Sequence, residues 1–524
     1  MPPSPPPYME AIRTAGSHVQ DSRGRRSDSE DSDIDIHGND QHHDQDDSHE
    51  EDEKHAVNNT NTNTNNNGGG GALSLVKTLS RVLSRPESNF DPGPPPDGGA
   101  RAWCTVAATH LVVMTTWGTI SSFGVFQTYY TSTLNAHSPS SVVTPSTISW
   151  IGSLQVFLLF FIGTFTGRLT DGGYFRHIYL LGTAFIALGM FSTADALDGL
   201  TSGNGNHGDA AESAVWKLFL AQGIAMGLGN GCLFCPCVAT LSTYFSKKRS
   251  LAIGMGACGT ATGGLVFPSM MRSLLPRVGF AWTVRAMGFI CVGCLLGAFW
   301  VIKPRTKPRG MRGALVEWSA FKEGEYSLFV AGSFMCFLGL YFTFYYLASF
   351  CRDLVGLAYE DSLNILLVLN GVGIFGRLVP NYLADRVGPI NLFIPFAAVG
   401  GICMLCWMAV ESEAGLYVWA VFYGAAAGGI QSLFPAGLTS LTTDLRKTGV
   451  RMGMVFTCNS FATLAGPPIA GAIITNIGGR YYGAQAFAGS TLLCGTGLLA
   501  AARMVKARKA QREGESGGVW KVKV

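Results

Sequence analysis

Leu233-Phe-Cys-Pro236 and Ser432-Leu-Phe-Pro435 are two nearly matching stretches of the chain, set 199 residues apart. The same offset carries Lys248 onto Lys447, Gly254 onto Gly453 and Pro268 onto Pro467. One shared proline is chance. Four aligned features over more than 30 residues imply that one half of the body repeats the other.

The residues around these stretches show what is repeated. From Asp97 onward, apolar runs of about 20 residues, long enough to cross a bilayer, recur with short breaks. They predict twelve helices, near 101–129, 146–168, 177–197, 214–243, 249–271, 280–302, 327–350, 361–383, 389–410, 414–441, 449–474 and 483–505. With the offset, helices 4–5 correspond to helices 10–11. The expected plan is an all-α polytopic membrane protein of two six-helix halves, 97–302 and 327–505, joined by a linker at 303–326 and followed by a basic tail at 506–524.

Composition agrees. Of the 524 residues, 47% are hydrophobic and only 14% charged, against about 25% charged in soluble proteins. Residues 1–96 hold 8 Lys/Arg and 17 Asp/Glu, whereas the remainder holds 30 and 18. An acidic run (Asp28 to Glu53), an Asn/Thr tract (Asn58 to Asn67), four glycines and a Pro-rich end make residues 1–96 an expected disordered tail. Such a composition buries too little apolar surface to offset the entropy of ordering. A short basic helix is expected at Leu73 to Leu83, and no cleaved signal peptide is read at the start. With the N-terminus in the cytoplasm, 23 of the body's 30 basic residues fall on that side and five (Lys217, Arg272, Arg277, Arg352, Arg480) on or near the other. The positive-inside rule therefore places both termini in the cytoplasm. The plasma membrane is the expected location, with an internal membrane as the alternative. The 13 cysteines lie mostly in apolar runs, and neither Cys291/Cys294 nor Cys403/Cys406 has a partner cluster that would complete a metal site, so no metal or cofactor is expected.

Charged turns follow helices 2 and 8: Gly167-Arg-Leu-Thr-Asp171 and Asn381-Tyr-Leu-Ala-Asp385-Arg386-Val-Gly388. Two six-helix halves with acidic-basic turns at these places resemble the major facilitator superfamily. The resemblance implies that Asp171 with Arg168 and Arg176, and Asp385 with Arg386, belong to a cytoplasmic latch. The first turn has Gly172 where a basic residue is usual.

Two further stretches resemble the signatures of the monocarboxylate transporter family, in its fungal branch. Asp97-Gly-Gly-Ala-Arg-Ala-Trp103 precedes helix 1, and Tyr244-Phe-Ser-Lys-Lys-Arg-Ser-Leu-Ala-Ile-Gly-Met-Gly-Ala-Cys-Gly259 opens helix 5. Physically, an acid at a helix start suits the helix dipole and a Trp suits the headgroup region, so Asp97 and Trp103 read as interfacial. Lys247, Lys248 and Arg249 read as membrane-side anchors, and Gly254, Gly256 and Gly259 as close-packing positions. None of these need touch a substrate.

Arg377, eight residues before Asp385 in helix 8, is the residue that bears on function. A guanidinium inside a bilayer costs at least about 2.5–3.5 kcal/mol unless it meets protein, water or a counter-ion. Snorkelling and an inward, anion-binding position are both open on the residues alone; the family resemblance implies the second, with a substrate carboxylate held in a bidentate pair. No carboxylate stands well inside any expected helix, and Gly373 occupies the place one turn before Arg377 where the animal carriers have an Asp. His110, the one histidine expected at membrane depth, is a candidate for proton coupling or for simple packing. Arg285 reads as a snorkelling residue. Asn230 and Gln431 are further substrate-binding candidates, because the resemblance places helices 1, 4, 7 and 10 around the cavity. The aromatic cluster Tyr341, Phe344, Tyr345 and Tyr346 of helix 7 reads either as a wall or gate against a planar or apolar substrate, with Tyr345 a binding candidate, or as a plain packing stripe. The expectation is a carrier, not an enzyme, that moves a small organic anion, a monocarboxylate by resemblance, by alternating access. It would meet the lipid bilayer, with protons as the candidate coupling partner, but no nucleic acid. Export of secondary metabolites or drugs, and a non-transporting nutrient sensor signalling through the acidic tail, are the alternatives.

Overall fold

The computed structural model describes residues 95–137, 144–197, 207–305, 316–441 and 448–512. The expected acidic tail up to residue 94, the helix at 73–83 and Lys447 lie outside them.

The chain is a helical bundle. The first half contains α1 (Ala100–Ser121), α2 (Phe123–His137), α3 (Pro145–Leu169), α4 (Phe175–Asp195), α5 (His207–Leu218), α6 (Met226–Ser242), α7 (Arg249–Ala257) and α8 (Gly259–Val301). The second contains α9 (Gly324–Leu340), α10 (Phe342–Asp353), α11 (Tyr359–Val387), α12 (Pro389–Trp407), α13 (Glu413–Leu441), α14 (Thr448–Asn476) and α15 (Tyr482–Arg512). Several passes are built from two helices. α1–α2, α5–α6 and α9–α10 are each one pass, and α7–α8 makes two, which gives the twelve expected passes in two six-helix halves. Eight spans among the described residues meet the length and hydropathy of a membrane crossing, counting Arg249–Val301 as one. The α1–α2, α13 and α14 passes fall short because Thr, Gly, Ser and Gln dilute their apolar windows.

The breaks have local causes. Between α1 and α2 the Ser122 hydroxyl donates to the Gly118 carbonyl at 2.8 Å, a back-bond that bends helices. The expected turn after helix 5 remains helical through Pro276 and reverses at Gly279, whose φ of 75° a side chain would strain. A π-helical segment, Phe219–Ala225, joins α5 to α6. At the start of α3, the Thr144 hydroxyl accepts from the Thr147 N–H at 3.3 Å.

Packing follows the small residues. A Cβ on Gly263 of α8 would lie 2.5 Å from the Gly118 Cα of α1, so these helices meet backbone to backbone. The halves meet along two seams, α3 with α14 and α7–α8 with α11. Large apolar side chains stand exposed on the outer surface, among them Trp282, Phe289 and Phe422, as a lipid-facing surface requires.

Candidate functional site

Arg377 lies on α11 where that helix crosses α13, and four glycines set the spacing. Cβ atoms on Gly376, Gly424 and Gly428 would lie 2.2 to 2.6 Å from backbone oxygens of the facing helix, and one on Gly373 would lie 2.7 Å from Arg377 Nη1. The cation therefore runs along the helix seam into the protein instead of rising to the membrane surface, and only 2% of it is exposed. Nη1 donates to the Gly373 carbonyl at 3.0 Å and Nη2 to Gln431 Oε1 at 2.8 Å. Nε–H has no partner. No carboxylate forms an ion pair with it among the described residues.

Arg377 and Gln431 form the polar wall of a cavity between the halves. Trp117, Phe160 and Phe234 face it from the first half, and Phe337, Tyr341, Phe434 and Phe456 from the second. Phe234, Phe434 and Pro435 come from the duplicated stretches that define the repeat. The cavity has a volume of about 40 Å³, room for a few waters and for no organic solute.

Both ends are closed. Toward the face away from the chain ends, Phe123 packs on Tyr345 with centroids 4.9 Å apart. A Cβ on Gly124 would lie 2.4 Å from the Phe344 carbonyl oxygen, and the hydroxyls of Thr128 and Ser349 approach to 3.4 Å. Toward the face with the chain ends, the Thr164 hydroxyl of α3 donates to the Gly453 carbonyl of α14 at 2.8 Å. There too, the Asp385 carboxylate accepts from the N–H groups of Ser250 and Leu251, at 3.2 and 3.3 Å, capping the first turn of α7. The partner of Asp385 shown by this geometry is thus a helix end of the other half. Arg386, its expected companion, donates to Tyr382 Oη at 2.7 Å and covers that ring.

The other expected site residues are spread more widely. His110 bridges α1 to α7 and α8: Nδ1 is 3.0 Å from the Met255 carbonyl oxygen and Nε2 is 3.0 Å from Thr262 Oγ1. It lies outside the cavity lining, as do Asn230 and Tyr345. Asn230 is wholly buried on α6, with neither amide atom paired. Asp97, at φ 51°, accepts from the N–H groups of Ser246 and Lys247, the latter at 2.8 Å, and ties the start of α1 to the turn before α7. The Ser246 N–H holds its carboxyl below the usual range. Trp103 meets Phe245 edge-on at 5.3 Å. Lys248 is exposed at the cap of α7, and Arg249 Nε donates to the Phe245 carbonyl at 3.2 Å. Arg168 closes the last turn of α3, Arg176 covers the Phe299 ring, and the Asp171 side chain lies outside what is described. Arg285 pairs with Asp195 at 2.5 Å. Sequence reading missed most of the aromatic wall and also the clasp of Arg451 on Glu317 and Glu323, at 3.1 and 2.5 Å, which fastens the linker to α14.

Comparison with known proteins agrees with this architecture. The Major Facilitator Superfamily profile matches residues 106–444 and 381–523. An MFS-type transporter of Gibberella zeae is 49% identical over 416 residues, covering 79% of this chain and 89% of the relative. The aspyridones efflux protein of Emericella nidulans is 32% identical over 414 residues, covering 79% and 80%. Among solved structures, a D-xylose–proton symporter superposes with a TM-score of 0.56 at 14% identity, covering 76% of this chain and 96% of that one. A bacterial homologue of the iron transporter ferroportin gives 0.55 at 13%, covering 76% and 98%. A bundle of two six-helix halves closed around a central cavity, with these relatives, is a membrane transporter and not an enzyme: the chain belongs to the major facilitator superfamily.

Proposed function

We propose that this transporter carries a small organic anion by alternating access and that Arg377 is the group that recognises its charge. One observation carries the reading: a guanidinium 2% exposed, on the wall of the central cavity, with neutral partners only. An unpaired cation at that depth is costly. An anionic guest offsets the cost and leaves Arg377 two hydrogen-bonding edges for bidentate contact. The monocarboxylate-type signatures at Asp97 and at Tyr244 to Gly259 support a carboxylate as the anion. The name of the aspyridones efflux protein supports outward transport of a secondary metabolite. In this reading the face with the chain ends is cytoplasmic, and export loads the substrate there.

The test is transport by the full chain in proteoliposomes, with labelled carboxylates and neutral solutes of equal size, with and without a pH gradient. Carboxylates should move and the neutral solutes should not, and Arg377→Gln should abolish carboxylate movement while leaving folded protein. Undiminished transport by that variant removes Arg377 from the site.

A further inference from the structure

The cavity wall specifies more than a charge. Besides Arg377, three of its side chains hold a buried hydrogen-bonding atom without a partner: Trp117 Nε1, Tyr341 Oη and Gln431 Nε2. Trp117 is 6% exposed and Tyr341 1%. With Arg377 Nε, the unsatisfied atoms around this one space are three N–H donors and a phenol, and the Gln431 oxygen is already taken by Arg377. Buried donors left unpaired are costly. Four around one cavity are therefore a template for a ligand that brings acceptors and little else. They come from both halves, Trp117 from α1 and the others from α9–α10, α11 and α13.

The apolar part of the wall is just as selective. The Trp117 and Tyr341 rings face each other across the two halves, with planes 17° apart and centroids 6.1 Å apart. A planar ligand stacks on a ring face at about 3.5 Å. When the halves part, the Tyr341 face that now meets Trp117 becomes free to take one. Phe234 and Phe337 adjoin the pair, Phe234 edge-on to Trp117 at 5.4 Å and Phe337 at 6.1 Å from Tyr341.

We infer that the substrate is a planar, conjugated acid bearing at least one further oxygen acceptor away from the ionised group, such as a hydroxy-substituted aromatic acid or the enolate of a cyclic dicarbonyl. The conjugated body stacks on the Tyr341 face, the anion faces Arg377, and the second oxygen takes the indole N–H of Trp117. A short aliphatic acid pairs with Arg377 and leaves that face and the indole donor unused. The inference rests on the anion reading above and narrows it.

The test is equilibrium binding to the purified full chain in nanodiscs, with 4-hydroxybenzoate, benzoate, cyclohexanecarboxylate, acetate and the neutral benzyl alcohol as probes. 4-Hydroxybenzoate should bind at least tenfold tighter than cyclohexanecarboxylate, which has the same charge and similar bulk without planarity, and several-fold tighter than benzoate. Trp117→Phe keeps a ring and removes the N–H, so it should erase the advantage of 4-hydroxybenzoate over benzoate while keeping that of benzoate over cyclohexanecarboxylate. Tyr341→Leu removes the stacking face and should erase the advantage of benzoate over cyclohexanecarboxylate. Equal binding of benzoate and cyclohexanecarboxylate, both lost in Arg377→Gln, overturns the planar substrate and leaves the anion reading standing. Benzyl alcohol binding as well as benzoate, with Arg377→Gln unchanged, overturns the anion reading itself.

Discussion

Arg377 pairs only two of its nitrogens, with a backbone carbonyl and an amide, and the reason lies one turn away. Gly373 has no side chain, so its carbonyl accepts from Nη1 and Nε is left free at the cavity. An acid at that position would convert a site that awaits an anion into one that already contains it. Gly373→Asp is sterically permitted, because the nearest atom to a new Cβ is the mobile end of Arg377 itself. We expect Gly373→Asp to lower anion binding by roughly 10–150-fold, the equivalent of one charge-assisted hydrogen bond of about 1.5–3 kcal/mol, beyond the loss in Gly373→Ala, whose Cβ displaces Nη1 without adding a charge. Isothermal titration with benzoate compares the two; an Asp variant that binds normally would show that Arg377 does not meet the anion. Arg377 was legible in the sequence because a charge at membrane depth demands a reason. Of the aromatic wall, only Tyr341 was legible, in the cluster of helix 7. Phe375 is two residues from Arg377 and 67% exposed, whereas Phe434 is 2% exposed and lines the cavity. A phenylalanine is equally at home against lipid or substrate, and only the rotation of its helix decides which it meets.

For the elements, hydropathy set the number of passes and their approximate limits, because each must bury its backbone over the same thickness. It averages over about 20 residues, so it was blind to the Ser122 break, the π-helical segment at Phe219–Ala225 and the Gly279 reversal. These depend on single hydrogen bonds and single φ angles. The turns between passes carry their own chemistry. Asp385 caps α7 from the other half, and an N-cap of this kind is worth roughly 0.5–2 kcal/mol. Asp385→Ala should therefore loosen the seam between α7 and α11 and speed amide exchange at Ser250 and Leu251. Hydrogen–deuterium exchange of the two forms measures it, and unchanged exchange at those amides would show that the cap does not hold the seam. Asp97 ties α1 to the turn before α7 in the same manner. Its carboxyl is held below the usual range by the Ser246 N–H, so its contribution is present above the ordinary carboxylate range and lost as pH falls through the lowered value. At neutral pH, Asp97→Ala should expose the turn and increase tryptic cleavage after Lys247 and Lys248, while the Arg249–Val301 helices stay intact.

In the whole molecule, the two halves enclose a space too small for the solute proposed for it, so transport requires them to part on one face at a time. The contacts on the face away from the chain ends include Phe123 on Tyr345, the Gly124 backbone against Phe344 and the Thr128–Ser349 pair, which join α1–α2 to the α10 pass of the other half. Ser146 donating to the Pro468 carbonyl and Arg272 to Asn364 join α3 to α14 and α8 to α11 on the same face. The duplicated architecture was visible from the 199-residue offset, but the state in which the halves rest was not, because closure depends on contacts between helices far apart in sequence. The 3.4 Å approach of Thr128 Oγ1 to Ser349 Oγ offers a direct test. Cysteines at both positions lie within reach of a disulfide, which needs Cβ atoms about 3.5–4.5 Å apart. Oxidising Thr128→Cys/Ser349→Cys should stop turnover in proteoliposomes and reduction should restore it, with the single variants and the native cysteines as controls. Binding measured from the face with the chain ends should persist in the oxidised protein, because a bond across α2 and α10 leaves that entrance free to open. Turnover that continued with the disulfide formed would show that this seam does not part, and the route out of the cavity would then have to run elsewhere.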